Sequence, residues 1–234
     1  MTRDEFISIV APIAVELRLE GSPVYPSVRI AQSVLETGGK IQPWNNLVGL
    51  KVGSGTPNPY WDGSYVDYST WEVVDGGRNV NVRANFRAYN SIEDGYRDQD
   101  LFLTMNRRYI PVQQAQNPQA QAAAFESSGY ATDPQYAEKL ISIMNQYNLF
   151  RFDREVEAVL EQLRAQIEQL QQQQAQLTEQ LRQLNAALTV EGIPDWAQEA
   201  VQAAVNKGVL NTPEGGSYDF YRMITILHRL GLFS

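Results

Sequence analysis

Residues 33–40 read Ser33-Val34-Leu35-Glu36-Thr37-Gly38-Gly39-Lys40, and this stretch decides how the chain builds its site. Apolar residues at helical spacing lead into it: Val28, Ile30, Ala31, Val34 and Leu35. Two glycines then end the helix, so Glu36 belongs to its last turn. A helix end that faces a cleft holds a carboxyl group rigidly and partly desolvates it, which raises its pKa toward the value a general acid needs. The stretch predicts a catalytic acid; a solvated glutamate at a helix terminus is the plainer alternative.

The surrounding pattern predicts an α+β lobe. Apolar residues at helical spacing predict a first amphipathic helix: Phe6, Ile9, Val10, Ile13, Ala14 and Leu17. Residues 68–74 and 79–89 are rich in β-formers and flank Asp75-Gly76-Gly77, which predicts a hairpin with a glycine turn. Residues 92–105 and 134–147 return to helical periodicity. One hairpin among helices is an α+β architecture.

Five segments, in order, carry a family resemblance across residues 6–152. They are Ala31-Gln32-Ser33-Val34-Leu35-Glu36-Thr37-Gly38, Asn45-Asn46-Leu47-Val48-Gly49-Leu50-Lys51, Thr70-Trp71-Glu72, Phe86-Arg87-Ala88-Tyr89-Asn90-Ser91, and Gly129-Tyr130-Ala131-Thr132-Asp133-Pro134-Gln135-Tyr136-Ala137. In this order and spacing they resemble glycoside hydrolase family 73, the N-acetylglucosaminidases that hydrolyse peptidoglycan. The resemblance implies a lysozyme-like fold, with a helical lobe, a small β-lobe and a substrate groove between them.

The same resemblance assigns roles to single residues. It implies an endo-beta-N-acetylglucosaminidase that cuts the β-1,4 bond between N-acetylglucosamine and N-acetylmuramic acid, with Glu36 as the general acid. Glu72 matches the family's second carboxylate, which would activate water and give inversion at a carboxylate separation of roughly 6.5–9.5 Å. A substrate-assisted route stays open, and there Tyr130 would orient the acetamido group. The alternatives are an edge-strand charge for Glu72 and a core tyrosine for Tyr130.

Further residues match family positions near the groove or offer flat apolar faces to sugar rings. The predicted substrate-binding residues are Asn46, Trp44, Trp71, Phe86 and Tyr89, and Trp61 offers a further ring. Arg87 also matches a groove position, but pairing with Asp94 or Asp98 to fix the hairpin is an equal expectation.

Two other classes of function share this sequence pattern. A lytic transglycosylase would use the same fold with Glu36 alone and release an anhydro-muramic acid product. A non-catalytic wall-glycan-binding protein or phage structural protein would keep the groove without the acid. The presence of both Glu36 and Glu72 argues against the non-catalytic class.

Composition narrows the chemistry to carboxylates. The 234 residues include no cysteine and a single histidine, His228, which excludes disulfides, Ser-His-Asp and Cys-His catalysis, and a multi-histidine metal site. We therefore expect no cofactor and no metal. The formal net charge is −8, and no large segment is basic, so nucleic acid is an unfavourable partner. The sequence has no membrane-length apolar stretch and no signal-peptide pattern at its start, so we expect action at the bacterial cell wall, reached as a holin-released phage lysin or with a signal that this chain lacks.

A heptad pattern follows the catalytic region. Nine apolar residues and one glutamine alternate at spacings of four and three: Val156, Leu160, Leu163, Ile167, Leu170, Gln174, Leu177, Leu181, Leu184 and Leu188. A 3.5-residue repeat of this length predicts a left-handed coiled coil, since a lone helix would leave a leucine stripe in water. We expect a homo-oligomer through residues 156–188, with a dimer favoured over a trimer; a lone helix or a disordered spacer is the alternative.

Residues 190–234 are predicted to form two short helices, the first capped by Asp195. The pattern Trp196-Ala197-x-x-Ala200-Val201-x-x-Ala204 followed by Lys207-Gly208 is similar to the first half of an S-layer-homology motif, but its usual Thr-Arg-x-Glu segment is absent. Wall binding, with Trp196, Tyr218 and Tyr221 as exposed aromatics, and oligomer capping are equal expectations. The predicted domains are 1–152, 153–189 and 190–234.

Overall fold

The computed structural model describes residues 1–74 and 78–233, and for residues 70–74 and 78–82 it describes the backbone alone. The helices of the first half are α1 (Arg3–Leu19), α2 (Pro26–Thr37) and α3 (Ile92–Met105), then a 3₁₀ turn at Arg107–Tyr109, α4 (Ile110–Gln113), α5 (Pro118–Ser127) and α6 (Tyr136–Gln146). The predicted helix at 92–105 is confirmed to the residue, and the helices predicted near 6–17 and 134–147 are confirmed with shifted ends.

Helix α2 owes its position to residues at its two ends. Pro26 occupies the first turn, where the amide hydrogen that it lacks would have no intrahelical partner. Gly38 closes the helix in the left-handed conformation, with φ of 64°, which side-chain-bearing residues rarely adopt. The nine residues from Pro26 to Val34 are all buried, so α2 is a central helix of the lobe. Glu36 therefore sits on the last turn of a rigid element.

One two-stranded antiparallel sheet is present in the described part of the chain. Strand β1 (Tyr65–Val74) pairs with β2 (Arg78–Arg87) in a register that joins Tyr65 to Arg87 and Val74 to Arg78. The predicted hairpin is confirmed, and its predicted turn at residues 75–77 lies outside the described residues. The base of the hairpin is fixed to the preceding loop, because the Arg87 amide donates to the Leu50 carbonyl at 3.0 Å.

A single apolar core joins the helices of the first 152 residues. Its members come from α1 to α6 and from the segments between them, and Phe6, Ile30, Leu47, Leu103, Phe125 and Leu140 are among its fully buried side chains. The helix-rich lobe with one small hairpin confirms the α+β prediction. No helix of the described chain is both long and apolar enough to cross a bilayer.

The long helix α7 (Phe150–Leu188) covers the predicted heptad region. The chain divides into two compact units, residues 1–162 and 163–234, and α7 contributes to both. Val156, which the heptad pattern placed on the exposed seam, is instead buried within the first unit. The seam that remains open in the single chain starts later, at the half-buried Leu160. The coiled coil and the division into three domains stay predictions.

The second unit contains a 3₁₀ turn at Asp195–Ala197, α8 (Gln198–Asn206) and α9 (Tyr218–Arg229). The capping prediction for Asp195 is wrong: no side chain caps α8, and Asp195 instead accepts a hydrogen bond from the Gln198 amide at 3.1 Å. Tyr221 is also not an exposed aromatic. It is fully buried with Ala197 and Val201, and its hydroxyl donates to the Pro213 carbonyl at 2.9 Å.

Candidate active site

Glu36 lies open to solvent yet closely surrounded by protein, as a residue in the wall of a cleft does. Its Oε2 atom rests against Gly49, where an added Cβ atom would lie 3.1 Å from that oxygen. Gly49 also has φ of 70°, a conformation that favours glycine. The loop that carries the Asn45-Asn46-Leu47-Val48-Gly49 segment thus packs its backbone directly against the carboxyl group.

The electrostatics of Glu36 suit a proton donor. Desolvation by the surrounding protein raises the pKa of Glu36 to about 7, against smaller opposing contributions from the Tyr136 hydrogen bond and the Lys51 charge. A carboxyl group with this pKa keeps a substantial protonated fraction at neutral pH, which general acid catalysis requires.

Tyr136 is the protein group that touches the Glu36 carboxyl. Its buried hydroxyl donates to Glu36 Oε1 at 3.3 Å and accepts from the Gln32 amide at 3.1 Å. Burial raises the pKa of Tyr136 well above its ordinary value, and the nearby Glu36 charge raises it further. Tyr136 therefore stays protonated and acts at this position as a hydrogen-bond donor.

Tyr130 lies behind this pair. Its hydroxyl donates to the Val48 carbonyl at 2.9 Å and accepts from the Gln99 amide at 3.0 Å, while its ring packs edge-on against Phe125. Gln99 also donates to Gln32 Oε1 at 3.1 Å. The structure thus joins Glu36 and Tyr130, two of the predicted catalytic residues, through a buried path of hydrogen bonds.

Asn46 and Tyr89 use their polar groups within the protein. The Asn46 amide donates to the Leu50 and Arg87 carbonyls at 2.8 and 2.9 Å, and its oxygen accepts from the Leu50 amide. The Tyr89 hydroxyl donates to the buried carboxylate of Asp98 at 2.7 Å. Asn46 therefore fastens the loop to the end of β2, and Tyr89 fastens the segment after β2 to α3.

Arg87 belongs to the same cluster. Its guanidinium pairs with Asp98 at 2.7 Å and lies over the Trp61 ring, with 4.2 Å between the guanidinium carbon and the ring centroid. Of the two expected partners, Asp98 is the one that Arg87 binds. Trp61 is buried beneath it, so the expectation that its ring is open to a sugar is wrong.

Two predicted binding residues are partly exposed. Trp44 lines a pocket of about 270 Å³ with Asp62, Val66 and Tyr89, and its ring centroid lies 5.5 Å from that of the exposed Tyr68. Phe86 is half-buried, with the Lys51 ammonium 5.9 Å from its ring centroid. Trp44 and Tyr68 form an aromatic pair, half-buried at Trp44 and exposed at Tyr68, and rings of this kind can pack on the apolar face of a sugar.

The side chains of Glu72 and Trp71 lie outside the described residues. The backbone places both on β1, where Glu72 pairs with Val80 and Trp71 with Asn81. In the described residues no cluster of three or more carboxylate or histidine side chains could hold a metal ion.

Sequence reasoning missed the polar residues that support Glu36. Arg29 and Gln32 lie on the buried face of α2, Gln99 is buried on α3, and Tyr136 begins α6. Polar residues four and seven positions before Glu36, inside an apolar pattern, were a usable signal, because a helix seldom buries such groups without partners.

A comparison with known families identifies the family of this chain. Residues 12–149 match the Glucosaminidase family model, described as mannosyl-glycoprotein endo-beta-N-acetylglucosaminidase. The chain belongs to this family. Glu36, Tyr130 and Tyr136 all fall within the matched Glucosaminidase region.

Individual proteins agree with the Glucosaminidase assignment. Peptidoglycan hydrolase FlgJ of Pseudomonas aeruginosa is 36% identical over 157 residues, which cover 63% of this chain and 38% of that protein. Exo-glucosaminidase LytG of Bacillus subtilis is 36% identical over 144 residues, covering 56% of this chain and 46% of that protein. The chain thus spans less than half the length of these two relatives.

Two solved structures are similar to this chain in three-dimensional fold. A crystal structure of a peptidoglycan hydrolase mutant from Sphingomonas sp. A1 matches with a TM-score of 0.55 and 29% identity, covering 63% of this chain and 96% of that one. The catalytic domain of the autolysin Auto from Listeria monocytogenes matches with a TM-score of 0.51 and 29% identity, covering 64% and 87%.

Proposed function

We propose that this chain is a peptidoglycan endo-N-acetylglucosaminidase and that Glu36 is its general acid. The observation that carries the proposal is the Glu36 carboxyl, which is exposed to solvent at the end of α2 and has a pKa raised to about 7 in a member of the Glucosaminidase family. Relatives named as peptidoglycan hydrolase and exo-glucosaminidase support wall glycan as the substrate. The site of action is the bacterial cell wall.

The reaction begins with protonation of the glycosidic oxygen between N-acetylglucosamine and N-acetylmuramic acid. Protonated Glu36 donates that proton, and the C–O bond to the leaving muramic acid breaks as positive charge develops on the glucosamine ring. Water then adds at the anomeric carbon, and its proton passes to a base. If the reaction inverts, Glu72 is the base that accepts this proton. If the reaction is substrate-assisted, the acetamido oxygen first bonds the anomeric carbon as the leaving group departs, and the Glu36 carboxylate then accepts the proton of the water that opens this ring.

Tyr130 and the aromatic pair have separate roles in this proposal. Tyr130 would orient the acetamido group by exchanging its bond to the Val48 carbonyl for one to the substrate. Trp44 and Tyr68 would stack on a sugar ring along the groove, since apolar ring faces bind the apolar faces of sugars. Asn46 and Tyr89 support the groove from inside the protein.

Mass spectrometry of digested peptidoglycan tests this function against its rivals. Hydrolysis leaves reducing N-acetylglucosamine ends, whereas a lytic transglycosylase leaves anhydro-muramic acid. Release of internal fragments distinguishes the endo mode from the exo mode. Absence of any product, matched by an equally inactive Glu36→Gln variant, would favour the non-catalytic glycan-binding class.

We further propose that α7 joins copies of this chain into a homo-oligomer, with a dimer as the first choice and a trimer as the second. Seven leucine or isoleucine side chains of the heptad seam, from Leu163 to Leu188, are between 47% and 63% exposed in the single chain. A coiled coil would bury this stripe. Linked copies gain effective concentration on a polymeric substrate, so the oligomer should clear intact walls better than a single lobe.

The C-terminal unit offers two roles, wall binding or oligomer capping. Trp196 and Tyr218 favour binding, because both rings are exposed and lie nearly parallel, 16° apart, with centroids 6.4 Å apart. Truncation after Gln162 separates these roles from catalysis. That boundary keeps Val156 and the bond from the Ser27 amide to Asp153 at 3.0 Å. We expect the truncated chain to cut soluble glycan fragments normally and to clear walls poorly.

A further inference from the structure

A chain of buried hydrogen bonds runs from Arg29 to the Glu36 carboxyl. It passes through Gln99, Gln32 and Tyr136, and three of its members, Arg29, Gln99 and Gln32, are completely buried. The direction of each bond follows from the chemistry of the groups, because a guanidinium group can only donate and a carboxylate can only accept.

Arg29 sets the direction at the start. Its guanidinium donates to Gln99 at 2.9 Å, so the Gln99 oxygen must face it. Asp100, Ser22 and the Tyr96 carbonyl hold the same guanidinium in place. With its oxygen engaged, Gln99 presents its amide nitrogen to the rest of the chain.

The orientation of Gln99 then fixes which group is the donor in each later hydrogen bond. The Gln99 nitrogen donates to the Gln32 oxygen at 3.1 Å, which turns the Gln32 nitrogen toward Tyr136. Gln32 donates to the Tyr136 hydroxyl at 3.1 Å. That hydroxyl has one proton, and its remaining partner is Glu36 Oε1, at 3.3 Å. Tyr136 must therefore be the donor to Glu36.

We propose that Arg29, Gln99 and Gln32 are positioning residues that fix Tyr136 as a permanent donor to Glu36 Oε1, so that the catalytic proton is carried on Oε2. The Oε2 atom is the one that rests against Gly49. A carboxylic acid whose Oε1 already accepts a hydrogen bond holds its own proton on the other oxygen. This inference rests on the proposed role of Glu36 as the acid.

The hydrogen-bond chain from Arg29 to Glu36 also affects the pH range in which Glu36 is protonated. The titratable groups that face Glu36 among the described side chains are Tyr136 and Tyr130, from α6 and the segment before it, and Lys51 from the Gly49 loop. The Tyr136 donor stabilises the carboxylate and lowers the Glu36 pKa, in opposition to desolvation. Loss of the donor should therefore raise the Glu36 pKa.

The test compares two buried tyrosines. Tyr136→Phe removes the donor, and Tyr96→Phe is the matched control, because its buried hydroxyl bonds Ser33 at 2.7 Å and lies outside the chain to Glu36. We expect Tyr136→Phe to move the alkaline limb of kcat/KM upward by about one pH unit. Tyr96→Phe should leave the limb in place. An unmoved limb in Tyr136→Phe would overturn the proposal.

Gln99→Met tests whether the donor direction of the Tyr136 hydroxyl is fixed by Arg29 through Gln99. It keeps the side-chain length but removes both polar groups, so Gln32 and Tyr136 are free to turn. We expect an upward shift smaller than that of Tyr136→Phe, and no further shift when Gln99→Met is added to the Tyr136→Phe background. Additive shifts would mean that Gln99 acts by another route, and they would sink the relay.

A direct titration separates this proposal from the proposed function. Carbon-13 NMR of glutamate carboxyl groups in the full chain, with Glu36 assigned by its loss in Glu36→Gln, follows the Glu36 pKa without substrate. A shifted titration in Tyr136→Phe with normal hydrolysis products supports both proposals. A shifted titration in a chain without hydrolase activity keeps the relay and removes the function, and an unshifted titration removes the relay whatever the activity. Thermal unfolding of each variant checks that the fold is retained.

Discussion

The hydrogen-bond chain behind Glu36 and the leucine stripe of α7 differ in how the polarity of their side chains relates to burial. Arg29, Gln32 and Gln99 are polar, yet they are buried and each finds partners inside the lobe. Leu170 and Leu177 are apolar, yet 63% and 60% of their surfaces are exposed. The polar groups of the first region have hydrogen-bond partners within the single chain, whereas the apolar side chains of the second region are left exposed to water.

This difference indicates which properties belong to the single chain. Buried polar groups that bond one another favour one arrangement of side chains, as a proton donor requires. An exposed apolar stripe at heptad spacing is stabilised when another helix covers it. Acid chemistry should therefore survive in an isolated lobe, whereas association should depend on α7. The substitutions below test this difference between the two regions.

Glu36→Gln should have the largest effect. It preserves shape but removes the acidic proton, so we expect wall-clearing turnover to fall at least about 100-fold. The folded-state pKa of about 7 lies above the ordinary value of 4.5, so the protonated form favours the fold and stability falls as pH rises between these values. At pH 8 the variant should unfold at the same temperature as the parent chain or a higher one.

The control for this prediction is Glu138→Gln, the same change at an exposed glutamate of α6. It should leave turnover and unfolding temperature unchanged. Turnover above about a tenth of the parent value in Glu36→Gln would show that Glu36 is not the acid.

Arg29→Met should rank second, as a loss of stability. It removes the guanidinium partner of the Asp100 carboxylate and of the Gln99 oxygen, and breaking a largely buried charge pair costs about 3–5 kcal/mol. Arg83→Met is the control, since the Arg83–Asp67 pair is exposed and such pairs contribute about 1 kcal/mol or less. Denaturant unfolding measures both. Equal losses in the two variants would contradict the assignment of the network as a buried, satisfied region.

Local pattern was enough to predict much of the fold. Helical periodicity marked α1, α3 and α6, glycines marked the end of α2, and β-rich runs marked the hairpin. These signals arise from neighbours along the chain, which fix helix ends and strand pairing directly. Glu36 was found for the same reason, because its helix end and the glycines after it are adjacent in sequence.

Contacts between distant segments were not predictable in this way. Tyr136 meets Glu36 across 100 positions of sequence, and Gln99 meets Gln32 across 67. Tyr221 and Trp61 were expected on binding faces but are buried, because an aromatic residue is compatible with a core as well as with a binding surface. Tertiary packing decides such cases, and sequence pattern alone does not contain it.

Leu170→Gln with Leu177→Gln should weaken association and leave the chemistry unchanged. Two polar residues on the seam remove apolar area that a coiled coil would bury, so light scattering should show a lower mass than for the parent chain. Gln172→Ala with Gln176→Ala, at positions off the seam, is the control. Cleavage of soluble glycan fragments should not change. A parent chain that is monomeric at micromolar concentration would refute the oligomer.

His228→Ala should have no effect on catalysis, and that result sharpens the contrast further. Histidine is the side chain that most often acts as a general acid or base in enzymes, and His228 is the one histidine of this sequence. His228 lies on α9 in the second unit, with its Nε2 atom 4.0 Å from a Glu199 carboxylate oxygen. If Glu36 is the acid, the alkaline limb of kcat/KM stays in place in His228→Ala and moves in Tyr136→Phe. A limb that moves in His228→Ala would place part of the proton chemistry in the C-terminal unit and would end the assignment of catalysis to the first 162 residues.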